Sequence, residues 1–336
     1  MKNKIILLGF FLFILFWIIS MWKYIDSFDV KYVWETQLWD VNKYGFISDN
    51  LKTDTSKKSI DLNLILNGWP WKDWIPAINN PKFIKHSQVN TQLGLNNETL
   101  WILVIDWEEQ KFYPYSILYW HEIINDIIGD KYISVTFCPL CGTAIVYNRN
   151  IDWEILEFWV SWKLYESNLL MYDSKNESLW SQSIWTVVVW HKLWKKLEVI
   201  KSDVITYGNF NDNYPNWLIL NEDTWYSRDY SRTPYGNYET DESLYFPVQN
   251  TDDTLHIKEL MFILNYNWDS YSFVRSKLIN QWSIEYKIWE KILNITVENW
   301  EITAKIEDEI IPGYIEMWFS WFTQHPGNDN VWFGEE

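Results

Sequence analysis

The sequence is short of glycine. It holds 11 glycines in 336 residues, where ordinary usage of about 7% would supply roughly 24. The shortage excludes a glycine-rich fibre or linker protein. It also poses a difficulty for any fold with many tight reversals, because those favour residues without a β-carbon. Cysteine is scarcer still. The 2 cysteines, Cys138 and Cys141, cannot staple a small disulfide scaffold. Basic residues are outnumbered, with Lys+Arg 28 against Asp+Glu 45 and a net charge of −17. No basic stripe is present, so nucleic acid is excluded as a partner. The acidic excess reads as a solubility device. Neither a phosphate-cradling glycine loop nor a Gly-x-Ser-x-Gly elbow occurs.

Long apolar runs are missing too, with one exception. Lys2 and Lys4 precede an apolar stretch from Ile5 to Ile19, which Met21 and Trp22 extend. The stretch also fits a signal-peptide core, but no small-x-small cleavage site follows it, so residues 1–22 read as an N-terminal membrane anchor or signal segment, an uncleaved anchor being favoured over a cleaved signal. Positive charge stays on the cytoplasmic side. The expected address is therefore the cell membrane, single-pass, with the bulk of the chain extracytoplasmic and the membrane as its one assigned partner. Residues 23–60 are polar and mixed, and read as a linker or stalk.

What is abundant is tryptophan, with 26 residues. Six follow Asp or Asn: Trp74, Trp107, Trp153, Trp217, Trp268 and Trp300. Asp-Gly and Asn-Gly are the favoured two-residue hairpin turns, because such turns need positive φ at both central positions. A bulky aromatic there meets a steric cost that glycine avoids. Leu103-Val104-Ile105 precedes Asp106-Trp107, and Phe112 and Tyr113 follow, which reads as strand, turn, strand. These positions look like glycine positions occupied by indoles. A gene in which UGA encodes glycine, translated with UGA as tryptophan, would produce that pattern. Trp120, Trp180, Trp318 and Trp321 sit in apolar or aromatic settings and read as true tryptophans. A carbohydrate-binding aromatic surface is the reading that holds if the turn tryptophans are real.

From Asp61 onward, short β runs alternate with turns. The expected fold is mainly β (α+β), strand-rich and built of hairpins with few helices, over residues 61–330. The best helical signal runs from Ser116 to Ile128. Glu98–Phe112 aligns without gaps on Glu259–Phe273, which suggests two related lobes or a duplicated structural element, beside the plainer reading of two hairpins that merely look alike.

Several ordered motifs are present. They include Trp120-His121-Glu122-Ile123-Ile124-Asn125-Asp126, Val135 through Ala144 around Cys138-Pro139-Leu140-Cys141-Gly142-Thr143, and Ser161 through Asp173. Glu177 through Gln182, Tyr226 through Tyr230, Pro234 through Tyr238 and Phe319 through Pro326 complete the run. Together they resemble a bacterial family catalogued as domain of unknown function 3179, over roughly residues 61–326. Departures are mostly Trp for Gly, as at Trp69, Trp71, Trp74, Trp159 and Trp162. The resemblance implies a fold neighbourhood and no reaction.

Cys138 and Cys141 lie in a strand-turn-strand knuckle, the setting of zinc ribbons. A thioredoxin pair would instead open a helix. Four readings stand side by side: a Zn or Cu site completed by His121 and His325, a disulfide favoured by an oxidising compartment, a redox-active thiol pair, and inert thiols. His121 with Glu122 or Asp126 suits a general acid–base role, beside a structural alternative. Arg228 and Asp229 are candidate contacts for an anionic ligand, and Asp173 lies in a polar run that could line a pocket or satisfy turns and bulges. As a whole the chain reads as a metal- or thiol-dependent extracytoplasmic protein. The alternative is a non-catalytic binding or surface module with a structural disulfide.

Overall fold

Alternating and fully apolar strand segments dominate the chain from Leu100 onward. The structure, a computed structural model, describes residues 51–68, 72–85, 97–107, 109–210 and 217–334. The expected anchor over 1–22 and most of the expected stalk lie outside the described residues. The end of the stalk lies against the domain: Leu51 and Thr53 are buried, and Ser59 N–H donates to the Val188 carbonyl at 2.9 Å.

Leu100–Asp106 (β1) and Glu109–Pro114 (β2) form an antiparallel hairpin across a turn opened by Trp107. Pro114 holds extended backbone at φ −62, and the chain then runs directly into a helix, Tyr115–His121 (α1). The helix is shorter than the expected span from Ser116 to Ile128. Glu122 turns left-handed at φ 56 and donates its N–H to the Leu118 carbonyl, which ends the helix. Beyond it, Ile123–Ile128 forms a strand (β3). Its β-branched residues suit a pleated surface, and pairing outweighs the helical spacing of the isoleucines. Lys131–Cys138 (β4) and Thr143–Asn148 (β5) continue antiparallel, with the cysteine knuckle between them. Phe158–Tyr165 (β6) and Asn168–Asp173 (β7) follow in a second sheet, with a bulge between Val160 and Lys163.

The same series then recurs. Leu260–Tyr266 (β8), Asp269–Val274 (β9), the helix Arg275–Gln281 (α2), Ser283–Ile288 (β10), Lys291–Glu298 (β11) and Glu301–Ile306 (β12) repeat the order hairpin, helix, three strands. Starting residues from β1 to β4 map onto β8 to β11 at a constant offset of 160. The ungapped sequence alignment is therefore displaced by one residue: Trp107 corresponds to Asn267, and Tyr113 to Phe273. The helix terminus repeats in detail, with Trp282 at φ 64 donating to Leu278 as Glu122 donates to Leu118. Gly313–Met317 (β13) and the helix Trp318–Gln324 (α3) close the fold.

The fold is mainly β, as expected. In the central nine-stranded sheet, β3, β4, β5, β13, β8 and β9 lie side by side. Thus β13 inserts between the first copy's β5 and the second copy's β8. One apolar cluster contains Ile102 and Leu103 from the first hairpin together with Ile288, Leu293 and Ile295 from the second copy. The two copies share a core.

The turn tryptophans occupy the backbone that the sequence suggested. Trp107, Trp153 and Trp268 have φ 51, 67 and 74, and are 93%, 97% and 91% exposed. Trp217 departs from that group. It is buried between Trp101 and Phe112, with edge-on ring contacts at 6.3 and 5.5 Å. The preceding Asn216 signalled a turn, but the ring belongs to the core. Trp74 is half-buried, and the positive φ falls on Asp73 instead.

Candidate functional site

The knuckle between β4 and β5 is where the chain concentrates unusual chemistry. Its first copy carries Cys138-Pro139-Leu140-Cys141-Gly142-Thr143, whereas the second copy makes the same connection with only Asn299 and Trp300. The four-residue loop is an elaboration of one copy. Gly142 sits at φ +58, and a β-carbon there would lie 2.9 Å from Met317 Cγ, so both backbone and space require glycine.

Both thiols are free and buried. Their sulfurs are 3.5 Å apart. Cys141 also points its thiol at the Ser167 carbonyl, 3.0 Å away. Burial pushes the Cys141 thiol well above its ordinary range, and the neighbouring Cys138 and the Glu316 carboxylate add to the effect. A thiolate is thus disfavoured, and Cys141 is not poised as a nucleophile.

The knuckle ties three parts of the fold together. Met317 N–H at the end of β13 donates to the Cys141 carbonyl at 2.8 Å. Tyr238 donates its hydroxyl to the Leu140 carbonyl at 2.9 Å. Ser167 brings in the β6–β7 turn. Behind the thiols lies a buried polar network. Glu316 accepts from Thr143 Oγ1 at 3.2 Å and from Ser320 Oγ at 2.6 Å. Asn168 Nδ2 donates to Thr143 Oγ1 at 3.0 Å, and Gln182 Nε2 donates to Thr136 Oγ1 and to the Thr143 carbonyl at 3.0 and 3.1 Å. Burial pushes the Glu316 carboxyl up to about 7, against the pull of its two hydroxyl donors. Sequence reading missed Glu316, Ser320 and Thr136. Glu316 carries one usable signal, a single carboxylate inside the apolar run Tyr314–Trp321.

His121 and His325 do not join the cysteines. His121 is buried, with Nδ1 2.7 Å from the Pro76 carbonyl and Nε2 2.7 Å from the Tyr230 hydroxyl. Both ring nitrogens are engaged, and desolvation lowers its pKa to about 4. His325 stacks on Trp321 at 5.1 Å, with Nδ1 2.9 Å from the Trp321 carbonyl. Among the described residues, no group of three or more His, Cys, Asp or Glu side chains is placed to hold a metal ion. The expected set of Cys138, Cys141, His121 and His325 is not assembled.

The expected acid–base trio is also divided. Glu122 accepts from the Tyr235 hydroxyl at 2.9 Å, and burial pushes its carboxyl up to about 8. Asp126 accepts from Lys111 Nζ at 3.0 Å and from the Tyr113 hydroxyl at 2.7 Å, in a buried ion pair on β2 and β3. His121, Glu122 and Asp126 thus each serve a different structural neighbour. The expected ligand contacts Arg228, Asp229 and Asp173 each have protein partners. Arg228 reaches the Trp74 carbonyl at 3.4 Å and lies 5.9 Å from the Trp120 ring. Asp229 pairs with Arg232 at 3.2 Å. Asp173 accepts from Asn176 N–H at 2.7 Å and from Trp180 Nε1 at 3.0 Å, which fixes the turn after β7.

A family model described as "Protein of unknown function (DUF3179)" matches residues 72–312. No curated protein and no solved structure matches the chain.

Proposed function

The chain belongs to the DUF3179 family, and from the geometry of its paired thiols we propose that it is a membrane-anchored extracytoplasmic module in which Cys138 and Cys141 act as a structural clamp. The observation that carries the reading is the 3.5 Å separation of the two sulfurs at the junction of β4–β5, β13 and the Tyr238 segment. An exported chain meets an oxidising compartment, where such a pair closes to a disulfide. The closure forms one S–S bond and releases two protons and two electrons. The electrons pass to a disulfide-bearing oxidant, which becomes two thiols. The high Cys141 pKa and complete burial favour a clamp over a turnover site.

Intact mass and alkylation of the exported protein test this. Loss of two hydrogens, with both cysteines refractory to alkylation until denaturation and reduction, is the expected result. Free thiols in the exported protein, or stoichiometric bound metal lost on Cys138→Ser, would overturn it. The membrane address has its own test. Protease added to intact cells should remove the domain and leave residues 1–22 in the membrane fraction.

We also propose that tight-turn tryptophans stand where the natural protein has glycine, its gene using UGA for that residue. Trp107, Trp153 and Trp268 support the reading, being almost fully exposed at positive φ. UGG codons at all three sites would refute it.

A further inference from the structure

Resting on the glycine reading above, we infer that the natural protein carries glycine at eleven definite positions and tryptophan at six others, and that the aromatic groove on its surface is consequently not a ligand site. Of the 26 tryptophans, 6 lie outside the described residues. Of the remainder, eleven have left-handed backbone: Trp107, Trp153, Trp162, Trp185, Trp190, Trp194, Trp225, Trp268, Trp282, Trp289 and Trp300. Only a few per cent of non-glycine residues adopt such a φ, and bulky side chains are true outliers there. A random share of the described tryptophans would amount to about one.

The internal duplication supplies a control that owes nothing to tryptophan statistics. Gly129 opens the turn between β3 and β4 at φ +56. Its counterpart at the 160-residue offset is Trp289, which opens the turn between β10 and β11 at φ 54. One copy writes glycine and the other tryptophan at the same backbone conformation. Local context agrees elsewhere. Trp282 stands just past the end of α2 at φ 64, a positive φ that its counterpart Glu122 also holds in the first copy. Trp162 lies in the bulge of β6 at φ 58, a glycine position in one common bulge type. Asp152-Trp153, Asn267-Trp268 and Asn299-Trp300 have positive φ at both residues, as a type I′ turn demands.

The opposite group is marked by packing. Trp101, Trp180, Trp217, Trp318 and Trp321 are buried, and none has positive φ. Trp180, Trp318 and Trp321 donate their indole N–H to Asp173 Oδ2, the Asp252 carbonyl and Ser270 Oγ at 3.0, 3.2 and 2.8 Å. Trp120 donates to the Arg232 carbonyl at 3.1 Å. Trp289 of the left-handed group also donates, to Asp269 Oδ2 at 3.2 Å, but from an exposed ring. What marks Trp180, Trp318 and Trp321 is that the donating ring is itself buried, where an unpaired N–H would be costly.

The assignment changes the functional surface. A groove of about 390 Å³ is lined by Trp185, Lys196, Asn265, Tyr266, Asn267 and Trp268. Lys196 lies 5.5 and 4.3 Å from the two indoles. Flanking indoles of this kind would suit a carbohydrate or a cationic ligand. Both are in the left-handed group, at φ 48 and 74. With glycine at both, the two indole walls are lost and Lys196, Asn265, Tyr266 and Asn267 remain.

The test is peptide mapping by tandem mass spectrometry of the protein purified from its own cells, beside the codons of its gene. Glycine at all eleven positions, with tryptophan at Trp101, Trp120, Trp180, Trp217, Trp318 and Trp321, is the expected result. Tryptophan at all seventeen overturns the recoding reading itself. A mixture that crosses the two groups, such as glycine at Trp217 or tryptophan at Trp289, leaves recoding standing and overturns the backbone rule. For the groove, the protein with glycine at 185 and 268 is titrated with a panel of neutral oligosaccharides and a quaternary ammonium probe. No saturable binding is expected. Binding retained there and lost on Lys196→Ala overturns the claim.

Discussion

Trp153→Gly should stabilise the protein as the sequence is written, although it deletes the largest side chain available. Trp153 is 97% exposed, so removing its ring forfeits almost no buried apolar area. Its φ is 67, following Asp152 at φ 53, in the turn between the paired residues Ile151 and Glu154. Left-handed backbone costs a residue with a β-carbon roughly 1–2 kcal/mol. Glycine's greater freedom in the unfolded chain offsets roughly 0.5–1 kcal/mol of that gain. The net expectation is about 0.5–1 kcal/mol of added stability. Trp180→Ala is the opposing control. That ring is fully buried, packs edge-on against Phe158 at 5.5 Å and donates to Asp173. Its loss should cost about 3–5 kcal/mol. Urea denaturation checks both, with the midpoint rising for the first and falling for the second at unchanged slope. If Trp153→Gly lowers stability by about 1 kcal/mol or more, the stereochemical reasoning fails.

Asp126→Ala should cost about 1.5–3 kcal/mol, because it removes the buried acceptor of Lys111 Nζ and the Tyr113 hydroxyl and leaves Lys111 only Glu109 at 3.4 Å and the Ile127 carbonyl. A variant with near-native stability would return Asp126 to the list of functional candidates. Glu122 has a carboxyl pushed up to about 8, so the native state holds a proton that the unfolded chain releases near 4.3. Stability should therefore fall as pH rises between those values. Glu122→Gln should flatten the upper part of that decline in urea titrations, and an unchanged slope would refute the assignment. His121 has the opposite sign: its pKa is held near 4, so its contribution is present above pH 6.5 and lost as pH falls. Its ring resonances should stay constant in NMR from pH 8 to 6, and a midpoint near 6.5 would count against the buried geometry.

Local stereochemistry and residue spacing carried much of this protein. The hairpin at Asn267-Trp268 was legible because its turn needs positive φ at both residues; at Asp106-Trp107 the turn was read one residue early, since Asp106 still pairs in β1 and Trp107 opens the turn. The strand-turn-strand setting of Cys138 and Cys141 followed from the apolar runs on either side. The duplication was visible as well, although displaced by one residue, since Glu98 and Glu259 aligned more readily than the true structural partners. Helical spacing misled at Ile123–Ile128, where β-branched residues satisfied both periods and the neighbouring strand decided. An asparagine before Trp217 signalled a turn while the ring itself went to the core.

The sequence alone determined a strand-rich chain of hairpins, its family, and the positions where an indole conflicts with the backbone. These depend on properties of a few consecutive residues. Only tertiary structure decided which side chains meet. It separated His121 and His325 from the two thiols, gave Asp126 to Lys111, and brought Glu316 and Ser320 from the far end of the chain to the knuckle. Thr143 and Glu316 lie 173 residues apart, and no local pattern encodes such a pairing, because a buried polar group is satisfied by whichever partner the packing brings within reach.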